Sequence, residues 1–260
     1  MTRGAPEATY HAPALEKGLD VLELLASAGV ALSQAEIARG LDRSPSELFR
    51  ILTVLERRSY LQRDSASGTY RLTLRLLELG SQHSPVEGLL SAAREPMQRL
   101  MEKTRESCHL SVLHQGALLV VAQVEGPARV RVSVAVGSTI SPLHSAAGRV
   151  LLAQSDEREL ARLLASEPDW GAMSPRQQQT ARRRLRKIAT QGYESAYAES
   201  VPGVSDLSMG VGASGATTRA ALALTGLPRD HDAWVRQCLP ELRRVVDEIE
   251  HACGIAGIGR

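Results

Sequence analysis

Apolar residues recur at helical spacing three times in the first sixty positions. Leu15, Leu19, Leu22 and Leu25 form one stripe, widened by Val21 and Leu24, and Gly29 closes it. Ser33-Gln34-Ala35-Glu36 then opens a short second helix as a capping box, in which Ser33 and Glu36 each satisfy an orphan N–H of the first turn. This helix carries Ile37, Ala38 and Leu41, with Gly40 placed to end it. Ser44 caps a third helix, and Pro45 takes its first position, where a missing N–H costs nothing. At about 100° per residue, Leu48, Ile51, Leu52 and Leu55 share one face, and Ser46, Arg50, Thr53 and Arg57 the other. Tyr60 to Arg63 and Thr69 to Leu72 read as short strands around the turn cluster Asp64-Ser65-Ala66-Ser67-Gly68. Helix, helix, turn, helix and hairpin in that order predict a winged helix-turn-helix, whose second helix of the pair enters the DNA major groove.

Two further helical runs follow, from Thr73 to Gly80 and from Val86 through Leu89, Leu90, Ala93, Met97, Leu100 and Met101. His83-Ser84-Pro85 interrupts them, and together they predict a helical linker over 76–104. Beyond 105 the pattern changes. Cys108 to Leu113 alternates, Gln115-Gly116 is a hairpin signal, Ala117 to Val124 is apolar, and Val130 to Val134 alternates again. Helices are predicted over Pro142 to Ala153, Asp156 to Ala165, Pro175 to Gln191 and Asp230 to Ala252. Strands are predicted over Leu207 to Val211 and Ala220 to Thr225. The fold class is therefore α+β with two domains, the second built on an antiparallel sheet. The divisions are a flexible arm at 1–12, the winged helix at 13–75, the linker at 76–104 and a second domain at 105–260.

The net charge of +2 announces no polyanionic partner, but its location does. Between Arg39 and Arg75, eight arginines face only Asp42, Glu47, Glu56 and Asp64. Arg50 suits bidentate contact with guanine, and Ser46 and Thr53 suit shorter hydrogen bonds to base edges. Arg63 and Arg71 flank the wing, where phosphate contacts set register. The expected DNA-binding set is Ser33, Arg43, Ser44, Ser46, Glu47, Arg50, Thr53, Arg57, Arg63, Tyr70 and Arg71.

Composition narrows the remaining classes. With 43% hydrophobic and 23% charged residues the chain of 260 folds as globular domains. Its aromatic content of 3% leaves the core to Leu, Val, Ile and Ala. No apolar run reaches the roughly 18–20 residues of a membrane span, and the first twenty residues hold no run of signal-peptide length. Three widely spaced cysteines, Cys108, Cys238 and Cys253, suit neither a disulfide framework nor a zinc finger, so a reduced, cytoplasmic protein is expected. His109 and His144 lack metal-ligand spacing and read as hydrogen-bonded structural groups; no metal and no cofactor are expected. Ser145 has no G-x-S-x-G context, and Gly210-Val211-Gly212 does not continue into a dinucleotide motif. The alternative of an enzymatic or purely architectural role therefore has no catalytic constellation behind it. The run Arg182-Arg183-Arg184-Leu185-Arg186-Lys187 reads as a solvated helix face.

Several segments, taken in order, resemble the IclR family of bacterial transcriptional regulators. They are Leu15-Glu16-Lys17-Gly18-Leu19-Asp20-Val21-Leu22, Leu32-Ser33-Gln34-Ala35-Glu36-Ile37-Ala38, Pro45-Ser46-Glu47-Leu48-Phe49-Arg50-Ile51-Leu52, Leu55-Glu56-Arg57-Arg58-Ser59-Tyr60-Leu61 and Gly68-Thr69-Tyr70-Arg71-Leu72. The second domain adds His109-Leu110-Ser111-Val112-Leu113, Pro142-Leu143-His144, Gly192-Tyr193 and Pro202-Gly203-Val204. The resemblance implies a GAF-like effector-binding domain, a homodimer or tetramer, operator DNA as partner, and a small metabolite that switches transcription. It also implies a ligand-binding set of His109, Ser111, His144, Ser145, Ala146, Asp206, Ser208, Ala223 and Thr225, the late strand anchored by Gly226. Asp206 stands where many relatives have Cys, and His144-Ser145-Ala146-Ala147-Gly148 is one residue shorter than the usual motif. A carboxylate at 206 either faces the ligand, favouring hydroxyls or an amine over a carboxylate, or accepts N–H bonds within its own turn.

Overall fold

The computed structural model describes residues 11–82, 86–212 and 219–254, and divides at 84/85 into two units. The arm expected at 1–12 lies outside the described residues as far as residue 10.

The first unit contains α1 (Pro13–Ala28), α2 (Gln34–Gly40), α3 (Pro45–Arg57), the hairpin β1 (Leu61–Arg63) and β2 (Tyr70–Leu72), and α4 (Arg75–Gln82). Val21 and Leu25 of α1, Ile37 and Ala38 of α2, Leu48 and Leu52 of α3, Leu61 and Tyr70 bury one core. Gly29 ends α1 in the left-handed region at φ 64°. α2 ends at Gly40 as expected, though without a left-handed glycine: a Cβ there would meet a Leu24 methyl carbon at 3.0 Å. Gly40 permits close packing of α1 on α2, and Asp42, at φ 51°, takes the left-handed turn instead. Leu32 pairs with Tyr70 through both backbone bonds, at 3.0 and 2.7 Å, tying the start of α2 to the wing.

The second unit begins with α5 (Glu87–Thr104), followed by β3 (Ser107–His114), β4 (Ala117–Val124) and β5 (Thr139–Ile140). Next come α6 (Ala146–Ala153), α7 (Glu157–Ser166), α8 (Pro175–Gln191), β6 (Tyr193–Tyr197), β7 (Ser205–Val211), β8 (Ala220–Gly226) and α9 (His231–Ala252). The strands pair antiparallel in the order β5-β4-β3-β8-β7-β6. Alternation along each strand gives the sheet two faces. Cys108, Leu110 and Val112 of β3, Leu207, Met209 and Val211 of β7, and Leu222 and Leu224 of β8 pack against α5 and α9. The opposite face packs Leu118, Ala221 and Ala223 under Ala147 and Leu151 of α6, with α7 and α8 closing a further layer around Leu163, Leu164, Leu185 and Ile188.

Three expectations change here. The stretch 76–104 is not one linker: α4 groups with the first unit, while Leu89, Ala93, Met97 and Leu100 of α5 are core residues of the second. The run Val130 to Val134 forms no strand. The edge of β4 is taken by β5 and by backbone bonds from Val120 to Gly137 and Ser138, so 130–134 is held by the Gln123 side chain, which bonds Ser133 and the Val134 N–H. The helix expected from Pro142 starts at Ala146, with Ser145 as its cap. Residues 142–145 form a turn so tight that a Cβ on Gly148 would sit 2.2 Å from the Pro142 carbonyl oxygen.

Candidate nucleic-acid interface and ligand-facing sheet surface

The third helix is built to hold its outer face still. Ser44 Oγ accepts from the Glu47 N–H, and Glu47 Oε2 accepts from the Ser44 N–H. Glu47 Oε1 also takes Lys17 Nζ of α1 at 2.9 Å, and Gln34 of α2 donates to the Pro45 carbonyl at 2.8 Å. The Lys17 ammonium and the Ser44 N–H and hydroxyl hold the Glu47 carboxyl down to about 2. Leu48 and Leu52 are fully buried, so the helix cannot roll without losing its core. Ser46, Arg50, Thr53 and Arg57 are exposed on the side away from them. Arg43, Arg50 and Arg57 have no ion-pair partner among the described residues, which leaves their guanidinium groups open to phosphates and bases.

The expected DNA-contacting residues separate accordingly. Arg43, Ser46, Arg50, Thr53, Arg57, Arg63 and Arg71 are exposed. Ser33, Ser44 and Glu47 are engaged in capping boxes and position the helices. Thr53 donates its hydroxyl to the Phe49 carbonyl at 2.8 Å, and Arg71 donates to Gln62 at 2.9 Å. Tyr70, expected at the interface, is a core ring only 4% exposed, with the Arg63 guanidinium 5.6 Å above its centroid. It orients Arg63 and is too deep to reach DNA. The wing turn is fixed by Asp64, which accepts the Ala66 and Ser67 N–H groups, and these bonds hold its carboxyl below the usual range. Phe49 was not in the expected set. It is exposed on the non-core side of α3, and its signal in the sequence was an aromatic residue off the apolar stripe.

In the second unit, register collects most of the expected ligand set on the α6 side of the sheet. His109 pairs with Ala223, which pairs with Ser208; Asp206 pairs with Thr225; Ser111 lies one row on, beside Ala221. His109 is buried, and desolvation holds its imidazole down to about 4, so it is neutral. Ser208 donates to the Leu222 carbonyl at 3.1 Å, and the Ser111 hydroxyl is fully buried with no hydrogen-bond partner among the described residues. Asp206 accepts from Ser200 Oγ at 3.2 Å, and burial pushes its carboxyl above the usual range. The hydrogen bond that Asp206 accepts comes from a side chain and not from an N–H group of its own turn.

The segment 144–146 is used differently. Ser145 donates to the Ser141 carbonyl at 3.0 Å and accepts the Gly148 N–H at 3.1 Å, so it is the cap of α6. Ala146 is buried, and the exposed His144 pairs with Asp169 at 2.9 Å. Sequence reading missed a charge network beside this segment. Arg149 Nε lies 3.0 Å from Glu194 Oε1, and its other nitrogens reach Glu199 at 2.9 Å and the Leu143 carbonyl at 3.2 Å. Arg184 joins the same two carboxylates, and a cleft of about 390 Å³ opens here between α6 and α8 beside His144 and Arg176. The available signal was Arg149 itself, a lone charge inside the apolar run Ala146–Ala153.

Residues 85–251 match the profile of the bacterial transcriptional regulator IclR C-terminal domain, and residues 14–65 that of the IclR helix-turn-helix domain. The chain belongs to the IclR family. Among curated relatives it is 36% identical over 153 residues to the HTH-type transcriptional regulator BhcR of Paracoccus denitrificans, covering 58% of this chain and 54% of that protein. It is 31% identical over 160 residues to the HTH-type transcriptional repressor AllR of Escherichia coli, covering 61% of this chain and 59% of that one. The chain thus matches somewhat over half the length of these relatives. Solved structures extend the likeness in fold. An IclR homolog from Microbacterium hydrocarbonoxydans, complexed with 4-hydroxybenzoate, aligns with a TM-score of 0.79 at 21% identity over 94% of this chain and 100% of its own. An IclR regulator from Alicyclobacillus acidocaldarius aligns at 0.75 and 23% identity, with the same coverage. Among the described residues, no helix is long and apolar enough to cross a membrane, and no three ligating side chains gather as a metal site.

Proposed function

We propose that this IclR-family chain is a ligand-responsive transcriptional regulator that binds operator DNA through α3 and the wing, in the bacterial cytoplasm. The observation that carries this reading is the outer face of α3: Arg50 and Arg57 without ion-pair partners among the described residues, on a helix locked by its cap, its core and Lys17. Arg43, Arg63 and Arg71 flank that face and supply phosphate contacts. A homodimer is favoured by exposed leucines of the first unit, Leu15 and Leu19 on α1 and Leu77 on α4, which a second copy would cover. Two such copies read half-sites one helical turn or a multiple apart.

The effector occupies the α6 side of the sheet, near His109, Asp206 and Thr225. The 4-hydroxybenzoate complex of a protein of the same fold supports a small-molecule ligand for this fold. The Asp206 carboxyl selects against a ligand carboxylate beside it and for a hydroxyl or amine. The ligand acts by binding two states of the protein unequally, so DNA and effector change each other's affinity by one factor. Fluorescence anisotropy on DNA from upstream of the gene, against a scrambled duplex at several salt concentrations, tests the regulator reading. Binding to the native fragment that weakens steeply with salt is the expected outcome. No binding to either duplex at low salt overturns it.

A further inference from the structure

We propose that Phe49 reads a thymine methyl group in the major groove, next to the base that Arg50 contacts. The inference rests on the reading of α3 as the groove helix and adds a specificity residue to it.

Phe49 is 58% exposed. A single exposed apolar residue is ordinary on a protein surface, so exposure alone decides nothing. Position decides. Viewed down α3 at about 100° per residue, the exposed arc runs Glu56, Phe49, Thr53, Ser46, Arg57, Arg50, Val54 and Glu47, with Leu48, Leu52 and Leu55 on the far side. Phe49 therefore borders the face that carries Arg50, one turn below Thr53.

The hydrogen bonds of that face divide it chemically. Thr53 commits its hydroxyl proton to the Phe49 carbonyl at 2.8 Å, and the Ser46 hydroxyl lies 3.1 Å from that of Ser44. On the Phe49 side the remaining groups are an aromatic ring and the Thr53 methyl, with the exposed Glu56 beyond the ring; on the other side stand the Arg57 and Arg50 guanidiniums, with no ion-pair partner among the described residues. Base edges in the major groove offer one apolar feature, the C5-methyl of thymine, and one site suited to a bidentate guanidinium, the O6/N7 edge of guanine. An apolar strip beside a free arginine matches a thymine beside a guanine.

The test uses the purified full-length protein and duplexes enriched by it from a random pool. Each thymine of the enriched half-site is replaced singly by deoxyuridine, which keeps base pairing and removes only the methyl. The expected result is one thymine per half-site, adjacent to guanine, whose replacement weakens wild-type binding about fourfold, the worth of one buried methyl. Phe49→Ala should be insensitive to the same replacement, Phe49→Leu should retain part of the sensitivity, and both should melt like the wild type. Deoxyuridine without effect at every position overturns the inference, as does equal sensitivity in Phe49→Ala. A change of oligomeric state in Phe49→Ala also overturns it, by assigning the ring to a protein contact. Failure to enrich any duplex overturns the groove reading itself, and this inference with it.

Discussion

In the first unit Arg43, Arg50 and Arg57 lie exposed with no ion-pair partner among the described residues; in the second, Arg149 is 5% exposed and spends its guanidinium on Glu194, Glu199 and the Leu143 carbonyl. Arg219 is likewise mostly buried and ion-paired with Glu159, and Arg184 closes the Arg149 network from α8. A surface arginine left alone keeps its hydration and contributes almost nothing to folding, so it is available to a polyanion. A buried arginine must be paired, because an isolated charge in that environment is far too costly. The same residue type thus does opposite work: in the first unit it awaits a partner, and in the second it joins α6, β6, α8 and the turn after β6.

The contrast breaks most visibly at Arg149. Arg149→Ala leaves Glu194 buried and half-paired, and should destabilise the second unit by about 3–5 kcal/mol. Both tryptophans, Trp170 and Trp234, lie in that unit, so urea denaturation followed by their fluorescence reports it. Replacing the pair together, Arg149→Met with Glu194→Leu, should recover much of the loss. A single variant as stable as the wild type would remove the network from the account.

Acid provides a second test of the inward-facing titratable groups. The His109 imidazole is held at about 4, below its ordinary 6.5, by burial. Between those values the unfolded chain binds a proton that the folded chain refuses, so stability falls as pH drops from 6.5 to 4. This contribution is on the order of 3 kcal/mol across the window. His109→Gln should flatten that part of the pH profile, and an unchanged slope would locate the acid sensitivity elsewhere.

The outward-facing charges predict the reverse pattern. Arg50→Ala should leave the melting curve unchanged and cost about 1–3 kcal/mol of operator affinity, most of it as lost base discrimination. An affinity loss that comes with a lower melting temperature would mean the side chain supports the fold. Smallest is the effect at the cap. Ser44→Ala removes an acceptor from the first turn of α3 and should cost about 1 kcal/mol in the first unit. Hydrogen exchange of the α3 amides should show it, with no change in the tryptophan signal of the second unit.

Much of the first unit was legible because its signals are short-range. Capping serines at 33 and 44, a proline at 45, the 3.6 period of Leu48, Ile51, Leu52 and Leu55, and the turn at 64–68 each act within one or two turns of chain. Gln115 and Gly116 likewise announced the β3–β4 hairpin, and both take the positive φ it requires. Where the reading failed, a distant partner had decided. Tyr70, a wing residue expected at the interface, has its ring in the core of α1, α2 and α3. Gly40 does end its helix, but the close packing of Leu24 on it is a tertiary demand that the sequence did not announce. Val130 to Val134 had the alternation of a strand but no neighbouring strand edge to pair with.

What the sequence determined by itself was the winged helix, its Arg-rich outer face, the order of elements and an antiparallel sheet to follow. Periodicity, caps and turns are properties of neighbours along the chain, and free energy is gained there before any tertiary contact forms. Only the tertiary structure decided that α5 belongs to the core of the second unit, that His109, Asp206 and Thr225 share one sheet face, and that Arg149 meets carboxylates 45 and 50 residues away. Those outcomes depend on strand register and on which charges are desolvated together. Both are set by packing between residues that lie far apart in the chain.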